Sequence, residues 1–362
     1  MEGSRSARPL VSVIVPVYNV EAYVGASLES LLTQSIDDFE VVCVNDGSTD
    51  ASPRILAEYA ARDARIRVVD KENSGYGASM NRGIEESRGE YIAVLESDDL
   101  MRPSALEHMV DAARRFSADM VKGCFNLYWS DAEERRELFC DAPREVLGEC
   151  VRPVDYPATF SQKPSIWSGM YRRDFLDAHG IRFLETPGAS YQDASFAFKV
   201  LAAAERAVFL SEPIVDYRQD NASSSVKSRG KAFAVCDEYA EMLRWVDASG
   251  MDDECKGILT RAALRAKYDS YMWNYVRIAP ELRAPFLERM ADEYRESISS
   301  GTFSLEDLAP WKRVNLREIM RDPSGFVDVH ASYADAGRLG RAWHYLRLGG
   351  PSVLAAYLRS RR

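Results

Sequence analysis

From residue 10 onward the chain alternates short apolar runs with stretches whose apolar residues recur at helical spacing. "LVSVIVPVY", "FEVVCVNDGS", "IRVVDKE" and "YIAVLESDD" are rich in branched or aromatic residues and bounded by turn formers, which predicts strands. Between them, "EAYVGASLESLLTQ", "SPRILAEYAARD" and "GASMNRGIEESRG" carry the period of helices with one apolar face. This alternation predicts an α/β fold, a mostly parallel mixed sheet with helices on both faces. Ligands of such sheets bind beyond the carboxyl ends of the strands.

Those ends are where the polar residues collect. "PVYN" closes the first strand, "NDGSTD" the second, "KENSGYG" the third and "ESDD" the fourth, so one crevice could hold them all. Pro16 reads as the stop of the first strand. "DDLMRPSALEHMVDAARRF" continues with helical periodicity, and "ADMVKGCFNLYW" reads as a further strand. "APREVLGECVRPVDYP" is irregular or a hairpin, "YRRDFLDAHG" a short helix, and "SYQDASFAFKVLAAAER" a stronger one. "AVFLSEPIVDYRQ" predicts two short strands around Pro213, and the Ser-rich "DNASSSVKSRG" a mobile loop or linker. Residues 231 to 300 read as helices. The expected division is a ligand-binding domain over 1–225 and a mainly helical region over 226–362.

Composition narrows the function. A net charge of -10 argues against a nucleic-acid binder, so a phosphate ligand must meet local cations, backbone amides or a metal. The six cysteines show no CxxC spacing and read as small buried hydrophobes in a reducing compartment. "MEGSRSARPL" has no apolar core of signal-peptide length, and no run approaches the roughly 18 apolar residues of a membrane span. A cytoplasmic protein is expected.

Glu96, Ser97, Asp98 and Asp99 end an apolar strand abruptly. Carboxylates packed side by side repel one another and call for a counter-charge, either a metal ion or basic side chains. The plain alternative is a solvated turn before a helix N-terminus, where acidic residues are favoured. Asp50 and Asp193 likewise precede helical stretches and suit ordinary N-caps.

In this order, "PVYN", "NDGSTD", "ESDD" and "YQDASF" resemble the family 2 glycosyltransferases over roughly residues 10 to 225. The resemblance implies a nucleotide-sugar-binding, Rossmann-like fold of the GT-A type. It implies donor contacts at Pro16, Tyr18, Asn19, Glu21, Asp46, Asn73, Glu96, Ser97 and Arg218, with Asp46 accepting the imide N–H of uracil. Asp98, with Asp99, would hold a divalent cation, Mn²⁺ or Mg²⁺, completed by the donor's phosphates. Asp193 would be the catalytic base. Trp167 and Tyr171 of "SIWSGMYRRD" are acceptor-facing candidates, since aromatic faces suit sugar rings, and buried packing is the alternative for both. Three positions depart from the family pattern: Met80 stands where an Arg is common, Glu96 where Asp is usual, and Gln192 where Glu is usual. Arg82 is the nearest cation to Met80, but two helical steps turn it by about 200° from that face.

The implied reaction is inverting transfer from a UDP-sugar to an acceptor hydroxyl on a glycan or a lipid-linked carrier, in cell-surface polysaccharide or glycolipid synthesis. Two rivals stay open: a sugar nucleotidyltransferase, which normally wants a Gly-rich basic loop that "PVYNVEAYVG" lacks, and a non-catalytic nucleotide-sugar-binding protein. Oligomeric state is open, a homodimer included. The tail "RLGRAWHYLRLGGPSVLAAYLRSRR" has six Arg, no acidic residue and several aromatics. It reads either as a basic amphipathic segment on the inner face of a membrane or as a helix packed on the protein's own body.

Overall fold

The computed structural model describes residues 8–131, 133–221, 232–335 and 337–360. The chain forms two compact units, Met1–Lys227 and Ser228–Arg362. In the first unit the strands are β1 (Val11–Val17), β2 (Phe39–Asp46), β3 (Ile66–Lys71), β4 (Tyr91–Val94), β5 (Leu100–Met101), β6 (Met120–Trp129), β7 (Arg135–Phe139), β8 (Cys150–Val151), β9 (Gly169–Arg172) and β10 (Ala207–Arg218). Its helices are α1 (Val24–Leu32), α2 (Ser52–Arg62), α3 (Tyr76–Glu86), α4 (Ala105–Phe116), α5 (Arg173–Ala178) and α6 (Gln192–Ala203).

One sheet joins all the strands in the order β3-β2-β1-β4-β9-β6-β10-β5, with β7 added to β6 and β8 to β10. The block β3-β2-β1-β4 is parallel, as the alternation requires, and β1 and β2 are buried along their whole length. β9 then enters antiparallel to both β4 and β6, making the sheet mixed. β1 runs through Pro16 rather than stopping there. Its pairing with β4 ends at Ile14, so on that side the missing N–H of Pro16 falls beyond the ladder, while Pro16 stays in register with Val44 of β2.

Two further expectations are corrected. "AVFLSEPIVDYR" is one strand, not two, because β6 pairs on both sides of Pro213 and absorbs it as a register irregularity. Cys124 and Cys140 are joined by a disulfide instead of lying free. β7 folds back on β6 with Phe139 opposite Phe125, which brings the neighbouring cysteines together. Cys43, Cys150, Cys236 and Cys255 are free. The Ser-rich stretch lies, from residue 222, outside the described residues.

The second unit holds α7 (Ala234–Ala248), α8 (Asp253–Tyr275), α9 (Pro280–Ser299), α10 (Pro310–Arg321), α11 (Pro323–Asp335) and α12 (Gly337–Arg359). Helices thus continue well past residue 300. Tyr268, Tyr271 and Tyr275 repeat along one face of α8 at three- and four-residue spacing and are all buried. Tyr345, Val353 and Tyr357 of α12 pack with Val314 into a small core, against which Trp311, Leu348 and Leu354 lie. Among the described residues no helix is long and apolar enough to cross a membrane.

Candidate active site

The turn after β4 does not lead into a helix. Asp98 and Asp99 are followed by the short strand β5, antiparallel to β10, and α4 begins only at Ala105. The acidic residues therefore cap nothing. Asp98 is partly exposed and its Oδ2 accepts from Asn221 Nδ2 at 2.7 Å. Asp99 is fully buried, with Oδ1 accepting the Arg218 main-chain N–H at 2.8 Å and Oδ2 without a partner. Burial, with Asp98 beside it, raises Asp99 well above the ordinary carboxylate range. Glu96 accepts from Tyr76 Oη at 2.5 Å, and its burial next to Asp98 and Asp193 pushes it up to about 8.

These groups fit a hard cation. An orphaned buried carboxylate oxygen and mutually repelling neighbours are what a divalent ion relieves, and oxygen is its preferred ligand. Among the described residues, no three His, Cys, Asp or Glu side chains are grouped to hold a metal by themselves. Asp98, with Asp99 behind it, would be the protein's part of such a site.

Arg218 is not a free cation on a loop. It ends β10, is buried, and donates from Nε to the Asp98 carbonyl at 2.7 Å and from a guanidinium nitrogen to Ser130 Oγ. Its guanidinium lies over the rings of Tyr23 and Tyr128.

On the β1 and β2 side, the residues expected at the nucleotide spend much of their capacity on one another. Asn19 Oδ1 accepts the Thr49 N–H at 2.8 Å and Glu21 Oε2 the Ala51 N–H at 2.7 Å. Asp50 answers by accepting the N–H groups of Glu21 and Ser52. Asp46 is buried and receives Lys71 Nζ, the Ser74 N–H at 2.9 Å and the Gly75 N–H at 3.0 Å. Tyr18, 51% exposed, and Asn73 present open side chains at this edge, whereas Pro16 is buried in the strand and Ser97 in the turn.

Asp193 lies in the first turn of α6, one residue inside Gln192, and the N-cap is Tyr191 in the left-handed region. Burial raises Asp193 to about 6, while the ammonium groups of Lys163 and Lys122 pull it down. Gln192 is buried and clamps the preceding loop: Nε2 donates to Thr186 Oγ1 at 2.8 Å and to Gly188 O at 3.1 Å. Gly75 and Gly77 let this loop approach α3, where the Tyr76 N–H bonds Gly188 O at 2.9 Å. Met80 is fully buried, and Arg82 pairs with Glu86 at 2.6 Å.

Trp167 and Tyr171 are both buried. Tyr171 donates its hydroxyl to Ile166 O at 2.8 Å, and Trp167 stacks on Tyr217 with centroids 4.7 Å apart. Tyr217, under Trp167, is an aromatic residue that the sequence reading did not single out. Burial pushes its hydroxyl far upward, and the charges of Asp99, Asp98, Glu96 and Asp193 add to that push. Lys163 and Lys122, also missed, come from segments remote in sequence.

A mixed sheet flanked by helices, with acidic turns gathered at one edge, makes this an α/β unit of the GT-A type. Residues 12–140 match the model of glycosyl transferase family 2. The chain is 35% identical over 218 residues to the putative glycosyltransferase EpsH of Bacillus subtilis (strain 168), covering 58% of this chain and 61% of that protein. It is 24% identical over 268 residues to the cholesterol galactosyltransferase of Borreliella burgdorferi, covering 71% and 73%. The chain thus spans about three fifths of EpsH. Among solved structures, S. aureus TarS 1-349 in complex with UDP superposes with a TM-score of 0.68 at 20% identity, over 90% of this chain and 92% of that one. The same protein with UDP-GlcNAc gives 0.67. These likenesses show the fold.

Proposed function

We propose that the chain is an inverting glycosyltransferase that moves a sugar from a UDP-sugar to an acceptor hydroxyl, in cell-surface polysaccharide or glycolipid synthesis. The observation that carries this is Asp193: a partly buried carboxylate in the first turn of α6, raised to about 6, whose charge is felt by Glu96 of the acidic turn and by Tyr217. A base with that affinity is ionised at neutral pH yet basic enough to take a hydroxyl proton in the transition state. The fold shared with structures holding UDP and UDP-GlcNAc supports a UDP-sugar donor.

In the reaction the acceptor oxygen bonds to the anomeric carbon as its proton passes to Asp193. The bond from that carbon to the diphosphate oxygen breaks, and UDP leaves with the electron pair. Asp98 and Asp99 would hold the divalent cation, which when bound supplies Lewis-acid stabilisation to the diphosphate. Arg218 fixes the turn that presents them. Tyr18, Asn73 and the edge around Asp46 would receive the uridine. On the second unit, the basic α12 would contact an anionic membrane carrying a lipid-linked acceptor.

The test is UDP release from a panel of UDP-sugars with Mn²⁺, Mg²⁺ or EDTA. Asp193→Asn is expected to abolish transfer and leave UDP binding intact, while Asp98→Ala loses metal-dependent UDP binding and turnover together. Retention of more than about a tenth of the activity in Asp193→Asn, against the range typical of base catalysis, sinks the base assignment.

A further inference from the structure

The cations at this edge differ in how far their donors are used. Lys122 Nζ is spent on Ser165 O, Ser165 Oγ and Ser168 Oγ. Lys71 is spent on Asp46, Glu72 O and Ser74 Oγ, and Arg218 on Asp98 O, Ser130 and Asp220. Lys163 is the exception. Its ammonium sits 4.1 Å from the centroid of Tyr217, with Phe125 at 5.4 Å and Trp167 at 5.8 Å. Among the described residues it has no carboxylate within 4.0 Å and no hydrogen-bond acceptor.

That position is built. The Lys163 main-chain N–H bonds Asp141 Oδ2 at 2.6 Å, and Pro164 follows, leading into the short helical turn Ile166–Ser168 that carries Trp167. Aromatic faces hold an ammonium in place without neutralising it. Burial pulls its pKa down while the carboxylates Asp193, Asp99 and Asp141 push it back up, so its ammonium lies in the field of both the acidic turn and the base. A donor laid between them brings more negative charge to an edge already rich in it, and Met80 and Arg82 offer no cation there.

We propose that Lys163 is an anion-binding residue of the donor site, its ammonium taking a negatively charged group of the nucleotide sugar: the diphosphate, or a carboxylate on the transferred sugar. This rests on the UDP-sugar reading above. The three unspent N–H donors and the fixed stacking on Tyr217 lower the ordering cost that a free lysine would incur on binding.

The experiment is calorimetric titration of wild type, Lys163→Met and Lys163→Arg with uridine, UDP, UDP-glucose and UDP-glucuronate. A lost contact to a charged group is expected to weaken binding by about tenfold. If Lys163→Met weakens UDP and both sugar nucleotides but not uridine, the diphosphate is the partner. If it weakens UDP-glucuronate alone, the sugar carboxylate is. Lys163→Arg should restore much of either loss. Equal affinity of wild type and Lys163→Met for all four compounds overturns the proposal, and so does an equal loss that includes uridine, which would mark a structural role. Wild type that fails to bind UDP at all overturns the donor reading together with this one; wild type that binds UDP, with none of the four compounds affected by Lys163→Met, overturns this one alone.

Discussion

Arg218 donates from its Nε to the main-chain carbonyl of Asp98 at 2.7 Å. Its own main-chain N–H meets Asp99 Oδ1 at 2.8 Å, so the end of β10 grips the acidic turn through both side chain and backbone. Arg218→Leu keeps the second bond and removes the first, together with those to Ser130 and Asp220. Loss of charge-assisted bonds at a buried site should lower stability by about 2 kcal/mol. A urea midpoint unchanged from wild type would show that the turn holds its shape without the guanidinium.

Asp193 sets the pH dependence. Its folded pKa near 6 lies above the ordinary 3.8, so the ionised base is depleted as pH falls through 6, and kcat/KM should drop about tenfold per unit below that point. The stability effect has the opposite sense. Because the folded value is raised, the stability this group contributes is fully present below the unfolded pKa and is lost as pH rises through 6. Asp193→Asn should therefore be more stable than wild type at neutral pH and inactive there. An acid limb near 4 in the pH–rate profile would contradict the raised value.

Gly77 tests the loop that Gln192 clamps. A Cβ there would stand 2.2 Å from Leu184 O, a main-chain atom that cannot swing aside. Gly77→Ala must push α3 from the 184–190 loop, and overpacking of this kind costs about 1–3 kcal/mol. The same shift moves Tyr76, whose hydroxyl bonds Glu96, so UDP-sugar turnover should fall as well. Denaturation midpoints and turnover measured together would show whether the two losses travel as a pair.

Much of this was legible in the chain. β1 to β4 and α1 to α3 follow from branched runs and helical spacing, because each is local and the parallel block buries both faces. β9 was not legible: "GMYR" is four residues with no alternation, and its place between β4 and β6 is fixed by pairing across distant segments. At the site, Asp98 and Asp193 carry their signal in motifs. The roles of Asn19, Glu21 and Asp46 in tying loops together do not, since a donor 25 to 30 residues away looks the same in sequence as no donor. Tyr217 and Lys163 belong to no motif and meet only through the fold.

The tail offers the last test. Its two readings divide along α12: Tyr345, Val353 and Tyr357 pack inward, while Leu339 is 86% and Trp343 65% exposed. Leu339 and Trp343 are four residues apart and so share a stripe, and Arg347 continues it. Gly350, at φ 71°, breaks the helix beyond, and Leu358 is exposed after the break. Apolar side chains flanked by arginines, with no acidic residue in the segment, complement an anionic bilayer, where each basic residue near the surface contributes about 1 kcal/mol. Cutting the chain before Arg338 would remove Tyr345 and Tyr357 from their core and confound the result. The informative variant is Leu339→Ser with Trp343→Ser, which leaves the packed face intact. Wild type should co-sediment with phosphatidylglycerol vesicles at low salt and release at high salt, and the double variant should stay in the supernatant at both. Sedimentation that is absent in wild type, or unaltered by the two substitutions, would assign α12 to packing alone and favour an acceptor free in solution.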